Sequence, residues 1–227
     1  MATIYSPTNL FAQSADKFGY GPYDPAIAPA VQLLEKNVSP LAPVAGVVAQ
    51  TINDMAPIGA TTVTQVSGDL NLYAIALTAG DVINNFSVCS VGAASTPAHW
   101  WFTLANSSFY PVAFSADQLT TGTAATTLVT VPVATVGVGA SGATTSTAAT
   151  SYTVLTSGIY YVGLMQAPTT TAFTVQGHTA NGTGRGAVAP FLGFVDATAR
   201  TTVPAFGTAF IVTAKTTPTA IAGVYLN

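Results

Sequence analysis

The chain has 227 residues and a net charge of −3, and only 6% of its residues are Asp, Glu, Lys or Arg, against about 25% in a typical soluble domain. Its five Lys and Arg residues provide no basic surface for phosphates or anionic lipids, which argues against nucleic-acid and polybasic membrane binding. No apolar run reaches the roughly 18 residues of a membrane-spanning helix, so we expect no membrane partner.

Residues 1–60 differ in composition from the rest of the chain. They carry six of the thirteen charges and seven of the fourteen prolines, so a regular core built from this segment is implausible. We predict an extended N-terminal arm with one short helix over residues 25–37, in which Asp24 is the N-cap and Pro25 the first helical residue. The first ten residues have no basic start and no apolar stretch, which predicts that the chain carries no secretory signal and is made in the cytoplasm.

The arm also contains many large apolar side chains, which would be a liability if they faced solvent. We therefore expect the arm to anchor the chain by docking on another chain. The candidate partner-binding residues are Tyr5, Leu10, Phe11, Phe18, Tyr20, Tyr23, Ile27, Val31 and Leu34.

From about Thr61 the sequence consists of short runs rich in Val, Ile, Thr, Tyr and Phe, separated by Gly, Pro, Asn, Ser and Asp. The predicted strands are residues 61–66, 70–77, 82–88, 100–105, 111–115, 127–133, 151–155, 158–166, 172–176, 193–196 and 209–214. Short strands without amphipathic helices between them predict an all-β domain over residues 61–227, an antiparallel β-sandwich of jelly-roll type. The predicted core includes Leu72, Ile75, Val82, Phe86, Phe102, Leu104, Val129, Val131, Tyr160, Val162 and Leu164.

Two features of this region bear on assembly. Residues 82–184 contain a single charged side chain, that of Asp117, and a surface so poor in charge favours contacts between copies. We predict a homo-oligomer, a trimer with a dimer as the alternative. Residues 136–150 are almost entirely Gly, Ala, Ser, Thr and Val, and we predict that they form a loop.

Four patterns could carry chemistry, and each has a structural interpretation that we favour. The GxGxxG match at residues 137–142 is followed by no predicted helix, and the next acidic residue is Asp196, so a dinucleotide site is not expected. Asp117 could orient His99 as a general base. We predict instead that Asp117 caps its own turn, and that one of Trp100 and Trp101 faces the core while the other faces outward. His178 and Arg185, in a Gly-rich segment, could bind an anion. We predict instead that the two residues lie at an exposed loop tip.

The fourth pattern is aromatic. Stacked sugars would need exposed rings, and the candidates for such a platform are Trp101, Phe109, Tyr110, Tyr160 and Tyr161. Aromatic residues in β-sandwiches belong mostly to the core. Tyr160 and Tyr161 must point to opposite faces of one strand, so we expect at most one in the core and the other against solvent or a partner. The single cysteine, Cys89, is predicted to be a small buried residue.

Four segments together resemble a known group of proteins. They are residues 77–86 (LTAGDVINNF), 99–105 (HWWFTLA), 115–118 (SADQ) and 152–165 (YTVLTSGIYYVGLM). Over roughly residues 65–167 the chain resembles β-sandwich virion structural proteins of tailed phages that infect actinobacteria, variously head decoration, head fibre and minor tail proteins. These motifs mark strand ends and core aromatics, and the group has no catalytic residues to transfer.

The resemblance implies a bacteriophage virion protein that is not an enzyme and needs no cofactor or metal. We expect a capsid decoration protein that binds the major capsid protein on the virion exterior and braces neighbouring subunits. The alternatives are a minor tail or fibre protein that contacts the host, and a carbohydrate-binding surface module.

Overall fold

The computed structural model describes residues 47–51, 60–93, 97–118, 127–138, 144–168, 174–179, 193–214 and 220–227. These residues belong to one compact unit, Gly46–Asn227. They form an all-β structure in which every pairing between strands is antiparallel, and no helix occurs among them. The helix predicted over residues 25–37 lies outside the described residues.

The strands are β1 (Ala49–Gln50), β2 (Ala60–Val63), β3 (Leu70–Leu77), β4 (Val82–Ile83), β5 (Asn85–Gly92), β6 (Pro97–Ala105), β7 (Pro111–Ser115), β8 (Thr127–Gly137), β9 (Ser146–Ala148), β10 (Tyr152–Thr153), β11 (Gly158–Pro168), β12 (Thr174–Thr179), β13 (Gly193–Asp196), β14 (Thr213–Ala214), β15 (Ala220–Ala222) and β16 (Val224–Leu226). The predicted bounds of β3, β7 and β13 match the observed ones. The prediction of a loop over residues 136–150 was wrong at both ends of this range, because β8 continues to Gly137 and β9, Ser146–Ala148, pairs with it; residues 139–143 lie outside the described residues.

The long strand β8 belongs to two sets of strands. Its first part pairs with β5, from Thr127 to Pro132, and its last part pairs with β7 and β9. We call the strands on the β5 side half-sheet I; they are β1, β2, β5, β12, β15, β16 and residues 127–132 of β8. Half-sheet II contains β3, β6, β7, β9, β11, β13, β14 and the last part of β8. Strands β4 and β10 pair separately with each other.

Side chains from both half-sheets meet in one hydrophobic cluster, which we call the inner cluster. Its centre is marked by Phe86 of half-sheet I and Phe102 of half-sheet II, whose rings stack with centroids 5.5 Å apart. Other members are Val88, Val131, Val175 and Val224 from half-sheet I, and Ile75, Trp100, Leu104, Tyr160, Val162 and Leu164 from half-sheet II. Alternation along β5, β6 and β11 places every second side chain in this cluster.

Two predicted core residues behave differently from the prediction. Val82 is 43% exposed, because β4 turns its neighbour Ile83 into the inner cluster instead. Leu72 is fully buried but lies on the opposite face of half-sheet II. Val129 is half-buried against the inner cluster, and the remaining predicted core residues are members of it.

The opposite, outer face of half-sheet II carries a second cluster of apolar side chains. Residues 197–212, which we call the strap, cross this face between β13 and β14. Phe206 and Phe210 of the strap are buried there, and both rings pack edge-on against Phe114 of β7, with centroids 5.0 and 6.5 Å from it. Leu70, Leu72, Trp101, Tyr161 and Met165 complete the cluster. Half-sheet II is therefore covered on both faces by the chain itself.

Candidate functional site

The N-terminal residues proposed to bind a partner, from Tyr5 to Leu34, lie outside the described residues. Within the segment 1–60 the structure describes residues 47–51 and Ala60. Strand β1 runs beside β16, and the amide of Val48 donates to the carbonyl oxygen of Leu226 over 2.7 Å. Thr51 extends this contact, since its hydroxyl donates to Ala222 and accepts from the amide of Val224. The chain thus enters half-sheet I at an edge formed by its own C-terminal strand.

His99 and Asp117, suggested by the sequence as a pair, are brought together. His99 Nδ1 lies 2.7 Å from Asp117 Oδ2, and the Trp100 amide donates to Asp117 Oδ1 over 3.3 Å. The Gln118 amide donates to the Trp100 carbonyl oxygen. The Asp117 carboxylate therefore binds within β6, and the prediction that it caps its own turn was wrong. Its two contacts and the Gln118 bond tie the segment after β7 to β6, which is a structural role.

The proposed sugar-stacking residues do not form a platform. Trp101, Tyr160 and Tyr161 are buried, with Tyr160 in the inner cluster and the other two in the second cluster. Tyr160 and Tyr161 do point to opposite faces of β11, but the expectation that at most one of them lies in a core was wrong, because the second cluster buries Tyr161. The same correction applies to the two tryptophans. Phe109 stacks on Tyr161, with ring centroids 4.7 Å apart.

Two other sequence patterns are also placed by the described residues. Gly137 ends β8, and the residues after the GxGxxG match contain β9 where a dinucleotide site would require a helix. His178 lies in β12, not at a loop tip, and its Cα is paired with that of Ala60. Arg185 lies outside the described residues.

Several buried tyrosines have perturbed acidity. Burial raises the pKa of Tyr73 to about 12, although contacts with the Ala222 backbone and the Gln65 side chain oppose the shift. Burial is also the main cause of the raised pKa of Tyr152, to which the neighbouring Tyr160 contributes. Burial raises the pKa of Tyr161 as well. Because the ionised form is the disfavoured one, these hydroxyls stay protonated at neutral pH.

The outer face of half-sheet I is distinguished by the composition of its described strands. The described strands of this half-sheet contain no Asp, Glu, Lys or Arg. The five charged residues in the described part of the chain lie instead in or beside half-sheet II and β4; they are Asp69, Asp81, Asp117, Asp196 and Arg200. Asp196, which precedes the strap, and Arg200 are paired with each other, as Arg200 donates to Asp196.

Strand pairing fixes which side chains share this outer face. Phe86 and Val88 of β5 point inward, so Ser87, Cys89 and Val91 point outward. Cys89 is opposite Leu128, and Ser87 is opposite Thr130. By the same register the face also contains Thr62, Pro132, Gln176 and Tyr225. It therefore combines hydroxyls, an amide and aliphatic groups.

The face is both exposed and held in place. Leu128 is 53% exposed and Val91 38%, and Thr130 and Pro132 are also exposed. Hydrogen bonds hold this surface in place: the Ser87 and Thr130 hydroxyls are 2.9 Å apart, and Asn227 Nδ2 donates to Ser87 Oγ. Cys89 was predicted to be buried; it is half-buried, on this outer face. We give the name uncharged face to the exposed and half-buried members of this surface, which are Thr62, Cys89, Val91, Leu128, Thr130, Pro132, Gln176 and Tyr225. Ser87 has the same orientation but is fully buried.

Comparisons with known proteins give no relative: no family model, curated protein or solved structure matches the chain. Among the described residues, no three His, Cys, Asp or Glu side chains gather as metal ligands would. No helix in the described part of the chain is long and apolar enough to span a membrane.

Proposed function

We propose that this chain is a structural protein of a bacteriophage virion, a decoration subunit that binds the outer capsid surface and braces neighbouring subunits. In this proposal the two half-sheets form a jelly-roll sandwich, and copies of the chain associate as a homotrimer. The proposal rests on the phage-protein resemblance of residues 65–167 and on one structural observation, the uncharged face.

The uncharged face supports self-association on electrostatic grounds. A chain of net charge −3 normally repels its own copies, but charges lie outside this face in the described part of the chain. A second copy meeting it there experiences no like-charge repulsion at close range. A nucleic acid or an acidic protein would find no countercharge on it. Exposed Leu128 and Val91 supply apolar area, while Thr130 and Gln176 supply hydrogen-bonding groups.

The carbohydrate-binding alternative has less support from the same structure. Sugar recognition needs exposed aromatic rings beside polar groups, yet Trp101, Tyr160 and Tyr161 are buried in the two clusters. A minor tail or fibre role shares all the features that favour decoration. We retain it as the second candidate, because a tail subunit also packs against its own copies.

A charge placed on the uncharged face tests the proposal. We expect the full-length wild-type chain to sediment as an oligomer at tens of micromolar, and the Leu128→Asp variant to sediment as a monomer. The physical reason is that a carboxylate buried between copies loses its hydration without gaining a partner, which costs several kcal/mol.

The matched control is Leu155→Asp, since Leu155 is an exposed leucine (68%) away from this face, in the loop after β10. It should leave the oligomer intact. A wild-type chain that is monomeric under these conditions, or an oligomer that survives Leu128→Asp, contradicts association through the uncharged face.

A further inference from the structure

The strap, residues 197–212, covers the outer face of half-sheet II with little regular structure of its own. It lies between β13 and β14 and includes no strand. We infer that the strap opens and closes over this face as a unit while both half-sheets stay folded, and that Arg200 holds it shut. This inference is independent of the proposed function.

The first anchor of the strap is a clasp at its beginning. Asp196, at the end of β13, is fully buried and accepts hydrogen bonds from Arg200 Nε and Nη2 at 2.9 and 2.6 Å. The amide and hydroxyl of Thr198 bond to the other carboxylate oxygen. The Arg200 amide also donates to the carbonyl oxygen of Gly68, in the turn before β3.

Backbone strain is concentrated at the same clasp. Ala199 has φ of 52°, in the left-handed region that is strained for a non-glycine residue. It packs against Gly68, whose own φ is 83°. Such a conformation persists only while neighbouring contacts hold it. The ion pair between Asp196 and Arg200 is the strongest such contact at this turn.

The second anchor is apolar and lies near the far end of the strap. Phe206 and Phe210 pack against Phe114, and the Phe210 amide donates to the carbonyl oxygen of Phe109 over 3.0 Å. Phe109 is itself strained, with φ of 63°. Each anchor therefore contains one non-glycine residue with a left-handed backbone conformation, Ala199 at the first anchor and Phe109 at the second.

Arg200 connects the two anchors. Its guanidinium carbon lies 5.1 Å from the centroid of the Phe210 ring, while its nitrogens hold Asp196. A planar guanidinium can stack and donate a fork of hydrogen bonds at once, which an ammonium cannot do. Loss of Arg200 therefore weakens both anchors together, and this coupling makes the strap one unit.

Between these anchors the strap is held sparsely. Three backbone amides within it donate to described residues beyond the strap, those of Thr198 and Arg200 at the first anchor and that of Phe210 at the second, and Trp101 Nε1 makes a long 3.4 Å bond to Thr201. Strands β6 and β11 are instead paired along nearly their whole length. Segments with few protected amides open at lower free energy than the sheets they cover.

Hydrogen exchange of the full chain tests this inference. The amides of Arg200 and Phe210 should exchange at matching rates, and faster than those of β6 and β11. The Arg200→Lys variant keeps the charge but loses the fork and the stacking, so we expect both strap amides to exchange about tenfold faster, with the strands unchanged. Ile211→Ala is the control within the strap, because Ile211 is 74% exposed and should alter neither rate.

Tryptophan emission gives a second readout that does not depend on amide protection. The chain has two tryptophans; Trp101 lies under the strap and Trp100 in the inner cluster. In a Trp100→Phe background, Arg200→Lys should increase acrylamide quenching of Trp101. In a Trp101→Phe background it should leave Trp100 unaffected. Strap amides that exchange only as slowly as the strands, or two tryptophans quenched to the same extent, overturn the inference.

Discussion

Replacing Phe102 with alanine is expected to lower the free energy of unfolding by about 3–5 kcal/mol. Phe102 is fully buried in the inner cluster, where its ring stacks on Phe86 and contacts the edge of Trp100, with centroids 5.5 and 6.1 Å away. Truncation removes apolar burial and leaves a cavity between two half-sheets that cannot collapse freely. Urea denaturation followed by circular dichroism measures the loss.

The control for this substitution is Leu155→Ala. Leu155 is 68% exposed, so its truncation should change the free energy of unfolding by less than about 0.5 kcal/mol. A Phe102→Ala variant as stable as the Leu155→Ala variant would mean that the half-sheets do not pack around Phe102.

Valine at position 163 is expected to cost about 3 kcal/mol, the upper end of the usual range for overpacking. Gly163 lies in the middle of β11, opposite Leu72 and Thr103 on the neighbouring strands. A Cβ atom there would come within 2.8 Å of Leu72 Cδ2 and 2.9 Å of both Leu70 Cδ1 and Thr103 Cγ2. All three residues are fully buried, so none of them has room to move aside.

Gly158 offers a matched control on the same strand. It begins β11, and a Cβ at this position meets no atom within 4 Å. Gly158→Val should therefore be neutral or slightly stabilising, because valine favours the extended backbone. Thermal unfolding of the two variants side by side decides the matter. Equal melting temperatures would show that close packing at Gly163 is not what requires glycine there.

Sequence patterns predicted strands well where turn residues bound a run of large side chains. Leu70–Leu77 and Pro111–Ser115 are examples whose limits agree with the structure. The patterns failed where strands consist of small residues. Ser146–Ala148 forms a strand because it pairs with the end of β8, and this long-range contact leaves no local hydrophobic signal. Strand β15, Ala220–Ala222, was missed for the same reason, whereas β16, Val224–Leu226, was missed although its residues favour strands.

Burial was harder to predict than strand identity. The alternation along β11 correctly separated Tyr160 from Tyr161, but it could not reveal that the strap and Phe109 cover the second face. The aromatic spacing of Phe206 and Phe210 was the available signal for such a cover. In β4 the hydrophobic pattern itself was ambiguous, since Val82 and Ile83 are adjacent and only one can point inward.

For the uncharged face, the sequence predicted only the composition and not which residues form it. The scarcity of charge over residues 82–184 was evident from the sequence, and it predicted contact between copies. Which residues share a face depended on the register of β5 against β8, where Cys89 meets Leu128. Register is set by pairing across the fold, so a single sequence does not supply it. The His99–Asp117 pair was considered from the sequence but set aside in favour of a turn cap, and the structure nevertheless brings the two side chains together.

The central claim is that the chain is a repeated subunit of the capsid exterior. Quantitative mass spectrometry of purified virions tests it most directly, by counting this chain relative to the major capsid protein. A decoration subunit that follows the symmetry of the shell should be present on the order of hundreds of copies per particle. A copy number on the order of tens or fewer, as for a tail part, or absence from the particle, would contradict a decoration role.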